Sequence, residues 1–147
     1  MNYYMSKFVD NLKDLMKEAE LTHEQLSKQI GCGHGCVSQW LTGSYFPKIQ
    51  NIIRLTDFFQ CSADYLFGRV EFSDYKDLTV VSSFPERYSS LIKEKGKTLY
   101  KIAVEMEIKN AYIYRWAKSD NAPNASGLIL LADYFNCTID YLIGRKY

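Results

Sequence analysis

Apolar residues recur along this chain at the three- and four-residue spacing that places side chains on one face of an α-helix. The first such stripe includes Phe8, Leu12 and Leu15 and predicts a helix from about residue 6 to residue 19. Four shorter helical stripes follow it between residues 22 and 68. Residues 78–81, Leu-Thr-Val-Val, predict a short extended piece, and no other segment alternates as a β-strand does. The pattern therefore predicts an all-α protein.

Capping residues set the predicted ends of the shorter helices. Thr22 precedes Gln25 by three residues, the spacing of a capping box, and Gly31 suits the left-handed turn that ends a helix. A third helix is predicted to begin near His34 and to end at Gly43. The other predicted helix starts lie at Pro47, Ser62, Ser83 (with Glu86 as its capping-box partner), Thr98, Asn124 and Thr138.

The helical pattern occurs twice. Residues 8–69 align with residues 84–145 without a gap, at a constant offset of 76 positions (84 − 8), and 17 of the 62 aligned residues are identical. The shared positions are mainly apolar residues and helix caps, and both copies close on Asp-Tyr-Leu-x-Gly-Arg. A repeat of this length is a small domain rather than one turn of a solenoid. We therefore predict two tandem domains, at residues 1–69 and 84–147, and a linker at residues 70–83 that is apolar enough to dock on one of them.

Two helices separated by a tight turn lie at the centre of each copy. They span residues 22–30 and 34–42 in the first copy and residues 98–106 and 110–118 in the second. In a helix-turn-helix pair, the second helix fits the width of the major groove, where base pairs differ in their donors and acceptors. The spacing therefore indicates a unit that binds double-stranded DNA.

The residues of this motif carry a family resemblance. The first copy reads Leu-Thr-x-x-Gln-Leu-Ser-x-x-Ile-Gly at residues 21–31 and Val-Ser-Gln-Trp-Leu-Thr-Gly at residues 37–43, and it closes on Cys-Ser-Ala-Asp-Tyr-Leu-Phe-Gly at residues 61–68. It resembles the Cro-type, lambda-repressor-like family of DNA-binding domains, and the resemblance extends to both copies. The resemblance implies two tandem five-helix lambda repressor-like helix-turn-helix domains.

The resemblance also implies that bases are read by residues at the start of the second helix of each pair and one turn later. Asn and Gln can bond adenine in a bidentate manner, and Arg can bond guanine in the same way. The implied base-reading residues are His34, Gly35, Ser38 and Gln39 in the first copy, and Asn110, Ala111, Tyr114 and Arg115 in the second. The implied phosphate-binding residues are Thr22, His23, Lys48, Thr98, Lys101, Lys109 and Lys118.

The two copies depart from the family pattern in different ways. Glu107 stands where the first copy has Gly31, so the second turn must form without glycine. Gly33 and Gly35 flank the start of the second helix of the first copy and lower its helix propensity. We therefore expect the second copy to form the better recognition helix, and the first copy to order fully only on DNA.

Charge separates the copies further. The chain has a net charge of +1, yet residues 84–147 hold ten Lys or Arg and seven Asp or Glu, a net +3, whereas residues 1–70 hold seven of each. The second copy is therefore expected to carry most of the attraction to phosphate. No apolar run is long enough for a membrane span, and the first residues do not resemble a signal peptide, which predicts a cytoplasmic protein without membrane contact.

The four cysteines are expected to be reduced in a cytoplasmic protein. Cys61 and Cys137 share one repeat position and are interpreted as small buried apolar residues. Cys32, His34 and Cys36 form a local cluster that leaves metal binding or redox sensing as an alternative, although structural zinc sites need a fourth ligand and another spacing. The chain has no phosphate loop, nucleophile elbow or paired carboxylates, so no enzyme activity, metal or cofactor is predicted.

These observations predict a sequence-specific transcriptional regulator, a repressor of bacterial or phage type, that reads the major groove of double-stranded DNA with two recognition helices. Single-domain members of the family bind palindromes as dimers, so the tandem chain is expected to act as an intramolecular pseudo-dimer or to form a homodimer. The alternative is a helix-turn-helix module used for dimerisation or for binding a protein partner, with DNA read by one copy only. Because the two recognition helices differ, we expect unlike half-sites, or DNA binding mainly by the second copy.

Overall fold

The computed structural model describes residues 3–73, 79–118 and 121–146 of the chain. Regular structure within these residues is almost entirely helical, as predicted, and the chain divides into two compact units, Met1–Lys76 and Asp77–Tyr147. The first unit contains α1 (Tyr3–Glu18), α2 (His23–Ile30), α3 (Cys36–Thr42), α4 (Ile49–Phe59) and α5 (Ala63–Leu66). The second contains α6 (Phe84–Lys95), α7 (Leu99–Met106), α8 (Asn110–Trp116), α9 (Ala125–Phe135) and α10 (Ile139–Leu142). Across the described ranges, no helix is both long enough and apolar enough to span a bilayer.

The core of the first unit is organised around the apolar stripe of α1. Phe8 stacks on Phe67 at a centroid distance of 4.9 Å, and its ring meets the edge of Phe46 at 5.7 Å. α1 begins at Tyr3 rather than near residue 6, because the buried Met5 extends the apolar stripe by one turn. The fully buried residues that complete this core are Leu26, Val37, Ile52, Leu55 and Leu66. α1 thus packs against both α3 and α5.

Side-chain N-caps lie where the sequence predicts them. Thr22 Oγ1 accepts from the Gln25 amide at 3.2 Å, and Gln25 Oε1 accepts from the Thr22 amide at 2.9 Å, which completes the predicted capping box. Side-chain caps are also present at Ser62, Ser83, Thr98, Asn124 and Thr138. The box predicted at Ser83 is only half formed, because the Glu86 carboxylate accepts from Ser82 Oγ at 3.1 Å instead.

The predicted start of α3 is wrong by two residues. The helix begins at Cys36 instead of His34. Gly33 and Gly35 adopt left-handed φ values of 90° and 80°, which a right-handed helix does not accommodate. The turn before α3 is therefore longer than the corresponding turn before α8.

Two further helix ends differ from their predictions. α4 begins at Ile49, two residues after the predicted start at Pro47, because Lys48 remains extended (φ −80°, ψ 171°) and serves as the N-cap. α8 ends at Trp116, with Ala117 as its C-cap, so the predicted end at residue 118 is two residues too late. Such differences at helix termini leave the helix order unchanged.

A buried hydrogen bond in the second unit has no counterpart in the first. Tyr88, which stands where the first copy has Leu12, stacks on Phe84 at 5.2 Å and donates its hydroxyl to the Ile113 carbonyl at 2.9 Å. Burial raises the pKa of Tyr88 well above its ordinary value of 10.0, so the hydroxyl keeps the proton that it donates. The bond ties α6 directly to α8.

At one repeat position, a side chain of the first helix of each unit donates a hydrogen bond to the last helix of that unit. Asn11 Nδ2 donates to the Tyr65 carbonyl at 2.9 Å, and Arg87 Nη1 donates to the Tyr141 carbonyl at 2.8 Å. In both units the carbonyl also accepts from the amide of the glycine three residues later, Gly68 or Gly144, at 3.0 Å, so the side chain adds a second donor at the helix end. The repeat therefore preserves one interaction through two different side chains.

Part of the predicted linker packs on the second unit. Ser82 donates its amide to the Gly144 carbonyl at 3.0 Å, and an isolated antiparallel bridge joins Val80 to Arg145. The extended piece predicted from the sequence is thus formed and docked, apart from Leu78, which lies outside the described residues.

Candidate nucleic-acid interface

The second helix of the second pair, α8, has a polar outer face. Ile113 and Trp116 face the core, with 0% and 8% of their surfaces exposed. The four base-reading residues expected in this copy, all exposed, are Asn110, Ala111, Tyr114 and Arg115. Lys109 is the N-cap residue of the helix, Lys118 follows its end, and both are exposed. α8 therefore gathers the expected base-reading and cationic residues on its solvent-facing side.

Arg115 lies against a neighbouring aromatic ring. Its guanidinium carbon is 5.5 Å from the centre of the Tyr112 ring, within the range of a cation–π contact. Tyr112 packs in turn against Trp116, with a centroid distance of 6.2 Å. Sequence reasoning does not single out Tyr112, although its position three residues before Arg115 on a helix is the signal that identifies it. The contact places the Arg115 guanidinium beside the Tyr112 ring on the exposed side of α8.

The corresponding helix of the first copy, α3, presents fewer of its expected residues. His34 and Gly35 precede the helix, and Gly35 is an N-cap without a side-chain hydrogen bond. Ser38 is half-buried, and its Oγ lies 3.0 Å from Nδ1 of His23, a residue expected to bind phosphate. Gln39 is exposed. α3 itself therefore carries Ser38 and Gln39, and Ser38 already has a hydrogen-bond partner.

Four cationic side chains surround α8 at positions where the first copy has neutral residues. The exposed cations are Lys101, Lys109, Arg115 and Lys118. The residues at the matching positions, 76 earlier in the chain, are Gln25, Gly33, Gln39 and Thr42. In the reverse case, three exposed cations of the first copy, Lys28, Lys48 and Arg54, are matched by the neutral residues Val104, Asn124 and Leu130. Directly on and beside the second helix of the pair, the second copy therefore has more cations than the first.

The two threonines expected to bind phosphate also cap helices. Thr22 Oγ1 accepts from the Gln25 amide at 3.2 Å, and Thr98 Oγ1 accepts from the Lys101 amide at 3.1 Å. Each hydroxyl acts as an acceptor in its cap and keeps its own proton for donation to a phosphate oxygen. The capping and phosphate-binding roles are therefore compatible.

A groove of about 650 Å³ lies beside α8, between that helix and the first turns of α9. Leu130 lines the groove and is 47% exposed. At the matching position of the first copy, Arg54 Nη1 donates to the Gly31 carbonyl at 3.4 Å and to Asn51 Oδ1 at 3.3 Å. Sequence reasoning misses this difference, although the replacement of Arg54 by Leu130 at one repeat position signals it. The arginine thus bridges the turn and α4 in the first copy, and the second copy has no such cation there.

Two cysteines flank the turn before α3. The structure pairs Cys32 with Cys36 as a disulfide, with Cα atoms 6.3 Å apart. This corrects the expectation of four reduced cysteines, because a Cα separation in this range permits a bridge and the intervening glycines let the chain curve back. Cys61 is buried, Cys137 is half-buried, and neither belongs to a disulfide. Among the residues whose structure is described, no three His, Cys, Asp or Glu side chains are grouped to hold a metal ion.

A family model described as helix-turn-helix matches the chain twice, at residues 12–66 and 90–142. Together the matches cover more than half of the chain, and each contains one of the helix pairs, α2–α3 or α7–α8. No curated protein and no solved structure gives a significant match. The same motif is therefore recognised at the same point of each repeat.

Proposed function

Because the chain belongs to the Cro/C1-type helix-turn-helix family, a family of DNA-binding regulators, we propose that it is a sequence-specific transcriptional regulator that acts as a repressor. Its target is double-stranded DNA of a bacterial or phage genome, read in the major groove by α3 and α8 in the cytoplasm. The two recognition helices belong to one chain and act as a pseudo-dimer on two unlike half-sites. Within this pair, α8 is the stronger reader.

The outer face of α8 is the observation that carries the proposal. Arg115 supplies the donor pair that fits guanine, and Asn110 supplies the donor and acceptor that fit adenine. Lys109 and Lys118 lie just before and just after the helix, where they suit phosphates on either side of the groove. The buried Trp116 anchors the opposite side of the helix, so the face is held in place by the core.

α3 makes the weaker contact in this proposal. Gln39 is its exposed base-reading residue, and Ser38 Oγ is already hydrogen-bonded to His23 Nδ1, which leaves it fewer positions for a bond to DNA. The surroundings of α3 are neutral at the four positions where α8 has cations. The first copy therefore adds less to affinity and contributes mainly to the choice of the second half-site.

A second candidate function is a division of labour in which the second copy alone reads DNA and the first binds a protein partner or a second chain. The neutral residues at the four positions where the second copy has cations favour it, together with Tyr45, which is 64% exposed just after α3. Large exposed tyrosines are enriched in protein interfaces. Sedimentation of the chain with and without Tyr45→Ser tests the form in which the partner is a second chain: self-association that the variant loses supports it, and a monomer in both cases rules it out.

Binding to a selected duplex tests the main proposal. Affinity is measured by fluorescence anisotropy between about 50 and 200 mM salt, where contacts to phosphate give a steep linear fall of log affinity with log salt. Lys118→Ala is expected to reduce that slope by about one, whereas Lys13→Ala, a change of an exposed lysine on α1, leaves it unchanged. An affinity that is flat with salt and indifferent to DNA sequence contradicts the proposal.

The sign of regulation needs its own measurement. With the selected site placed across a promoter, a repressor lowers expression of a reporter gene, and Arg115→Ala restores it. Expression that rises with the wild-type chain identifies an activator instead.

A further inference from the structure

The turn of the first copy contains a reactive pair that the proposed DNA contact does not use. Cys32 directly follows Gly31, the left-handed C-cap of α2, and Cys36 is the first residue of α3. Both side chains are partly exposed, so solutes reach them. The second copy has Ile108 and Tyr112 at these positions and is therefore an internal control without thiols.

We infer that Cys32 and Cys36 form a reversible thiol–disulfide site that sets the order of the turn before α3, and through it the DNA affinity of the first copy. The 6.3 Å between their Cα atoms suits the bridge. The effect of the bridge on DNA affinity rests on the proposed DNA-binding function, whereas its effect on the order of the turn does not.

The bridge acts on a turn that is held at its start, by Arg54 at the Gly31 carbonyl and by Ser27 at the Cys32 amide, but little by its own side chains after that. Gly31, Gly33 and Gly35 adopt φ values of 71°, 90° and 80°, and a Cβ at any of them meets no atom within 4 Å. Glycine is therefore present for its backbone freedom, and that freedom gives the dithiol chain many conformations. Closing the five-residue loop removes most of them.

The bridge acts at the point where α3 starts. Gly35, the N-cap of the helix, provides no side-chain hydrogen bond. Cys36 Sγ lies 3.6 Å from Oγ of Ser27, a buried residue of α2. The oxidised pair thus fixes the first turn of α3 against α2, and Ser38 and Gln39 follow directly on that turn.

The chemical step is a two-electron thiol–disulfide exchange with a low-molecular-weight disulfide of the glutathione type. The thiolate of one cysteine attacks this disulfide, breaks its S–S bond, forms a mixed disulfide and releases one small thiolate. The second cysteine thiolate attacks the protein sulfur of the mixed disulfide, closes the Cys32–Cys36 bond and releases the other small thiolate. The two protons lost by the cysteines are taken up by the released thiolates, so two protein thiols are oxidised and one small disulfide is reduced to two thiols.

Hydrogen exchange of the full chain, measured without DNA, tests whether the bridge orders the turn before α3. In the oxidised chain, amides of residues 31–43 are expected to exchange roughly three- to tenfold more slowly than in the phosphine-reduced chain. Amides of residues 107–119 are expected to exchange equally in both states. The double variant Cys32→Ser/Cys36→Ser should match the reduced chain under both conditions. Equal exchange of residues 31–43 in the two states, or a redox response that survives in the double variant, overturns the inference.

Affinity for the selected duplex tests whether the state of the Cys32–Cys36 bridge alters DNA binding. The oxidised chain is expected to bind roughly three- to tenfold more tightly than the reduced chain, because ordering of the turn no longer opposes binding. Added glutathione disulfide restores the tight state in the wild type and changes nothing in the double variant. Equal affinity in the two states overturns the control of DNA binding. If neither state binds any duplex while the exchange contrast holds, the redox site stands and the proposed function fails.

Discussion

The two helix-turn-helix units share a core and differ at the surface that faces DNA in the proposal. Trp40 and Trp116 occupy one repeat position and are buried in both units, as are Val37 and Ile113. Around the recognition helices, by contrast, lysine and arginine of the second copy replace glycine, glutamine and threonine of the first. The repeat has therefore kept the residues that fold the domain and changed exposed residues on and beside the second helix of each pair.

The units also differ in how firmly the recognition helix is held. α8 follows an extended Lys109, and its Ile113 carbonyl accepts the buried hydroxyl of Tyr88. α3 follows the left-handed Gly35, and its first residue is cross-linked to Cys32. The recognition helices therefore differ in how well they are ordered as well as in the charge around them. Both differences favour the second copy as the stronger reader in a chain whose cysteines are reduced.

Replacing one arginine should expose this asymmetry most strongly. Arg115→Ala is expected to lower affinity for the selected duplex by roughly 10- to 100-fold, about 1–3 kcal/mol, because a bidentate contact to a base is lost. The matched change Gln39→Ala should cost no more than roughly threefold. Anisotropy titrations on one duplex provide both values. Equal losses of affinity for the two variants would show that α8 is not the stronger reader.

A second test concerns the docked piece of linker that distinguishes the fold of the second unit. Gly144→Ala should destabilise that unit by about 2–3 kcal/mol, since φ is 97° and a Cβ collides with the Ser82 carbonyl. Gly68→Ala, the matched change, is also strained (φ 74°) and places a Cβ 2.6 Å from the Cβ of Lys7, so it should cost about 2 kcal/mol, because the side-chain stem of Lys7 yields more readily than a backbone carbonyl. Urea denaturation measures both free energies of unfolding. A larger cost at Gly68 contradicts the importance of the docked segment.

The elements that are predicted correctly are those set by neighbours in sequence. The caps at Thr22, Thr98 and Asn124 form because acceptor and amide donor lie three residues apart. The start of α3 is not predicted correctly, because Gly33 and Gly35 permit left-handed φ values but do not require them.

The candidate site is predictable only where helical spacing determines it. The exposure of Arg115 follows from its place opposite the buried Ile113, whereas the contact between Arg54 and Gly31 joins residues 23 positions apart. The spacing of Cys32 and Cys36 fits reduced thiols as well as a bridge. A contact over 23 positions, such as that of Arg54 with Gly31, depends on the packed fold and has no local signal in the sequence.

The buried tyrosine offers a smaller test of how α8 is held. Tyr88→Phe should destabilise the second unit by about 1 kcal/mol, because the Ile113 carbonyl loses its buried donor. For a unit of this size, that loss corresponds to a fall in Tm of about 4–8 °C. Leu12→Met, an apolar change at the matching position, serves as the control and should shift Tm less. An unchanged Tm for Tyr88→Phe contradicts a structural role for this hydrogen bond.

The smallest expected effect concerns an exposed network that the first copy lacks at the matching Gln29. Lys97 Nζ donates to Glu105 Oε2 at 2.6 Å, and Tyr134 donates its hydroxyl to Glu105 Oε1 at 2.6 Å. The hydrogen bond from Lys97, followed by that from Tyr134, lowers the pKa of Glu105 below its ordinary value of 4.5. Burial, and then the bond to Glu105, raises the pKa of Tyr134 from 10.0 to about 12.

These shifts fix the sign of the pH dependence. The stabilisation from Glu105 is present above pH 4.5 and is lost as the pH falls through the lowered value, while that from Tyr134 is present below pH 10.0 and is lost as the pH rises through about 12. Glu105→Gln should therefore flatten the acid side of the thermal-stability profile, with a change of about 1–2 °C in Tm near neutral pH. Gln29→Ala is the matched control. An acid limb that persists unchanged in Glu105→Gln shows that other carboxylates determine it.

Selection of bound duplexes from a random DNA pool, with the reduced wild-type chain, tests the stronger role of α8 most directly. The expected site is asymmetric, with one half sharply defined, and Arg115→Ala should remove a preference for guanine at one position of that half. Gln39→Ala should alter only the weakly defined half. A perfect palindrome with two equally defined halves, changed to the same extent by either variant, contradicts the account.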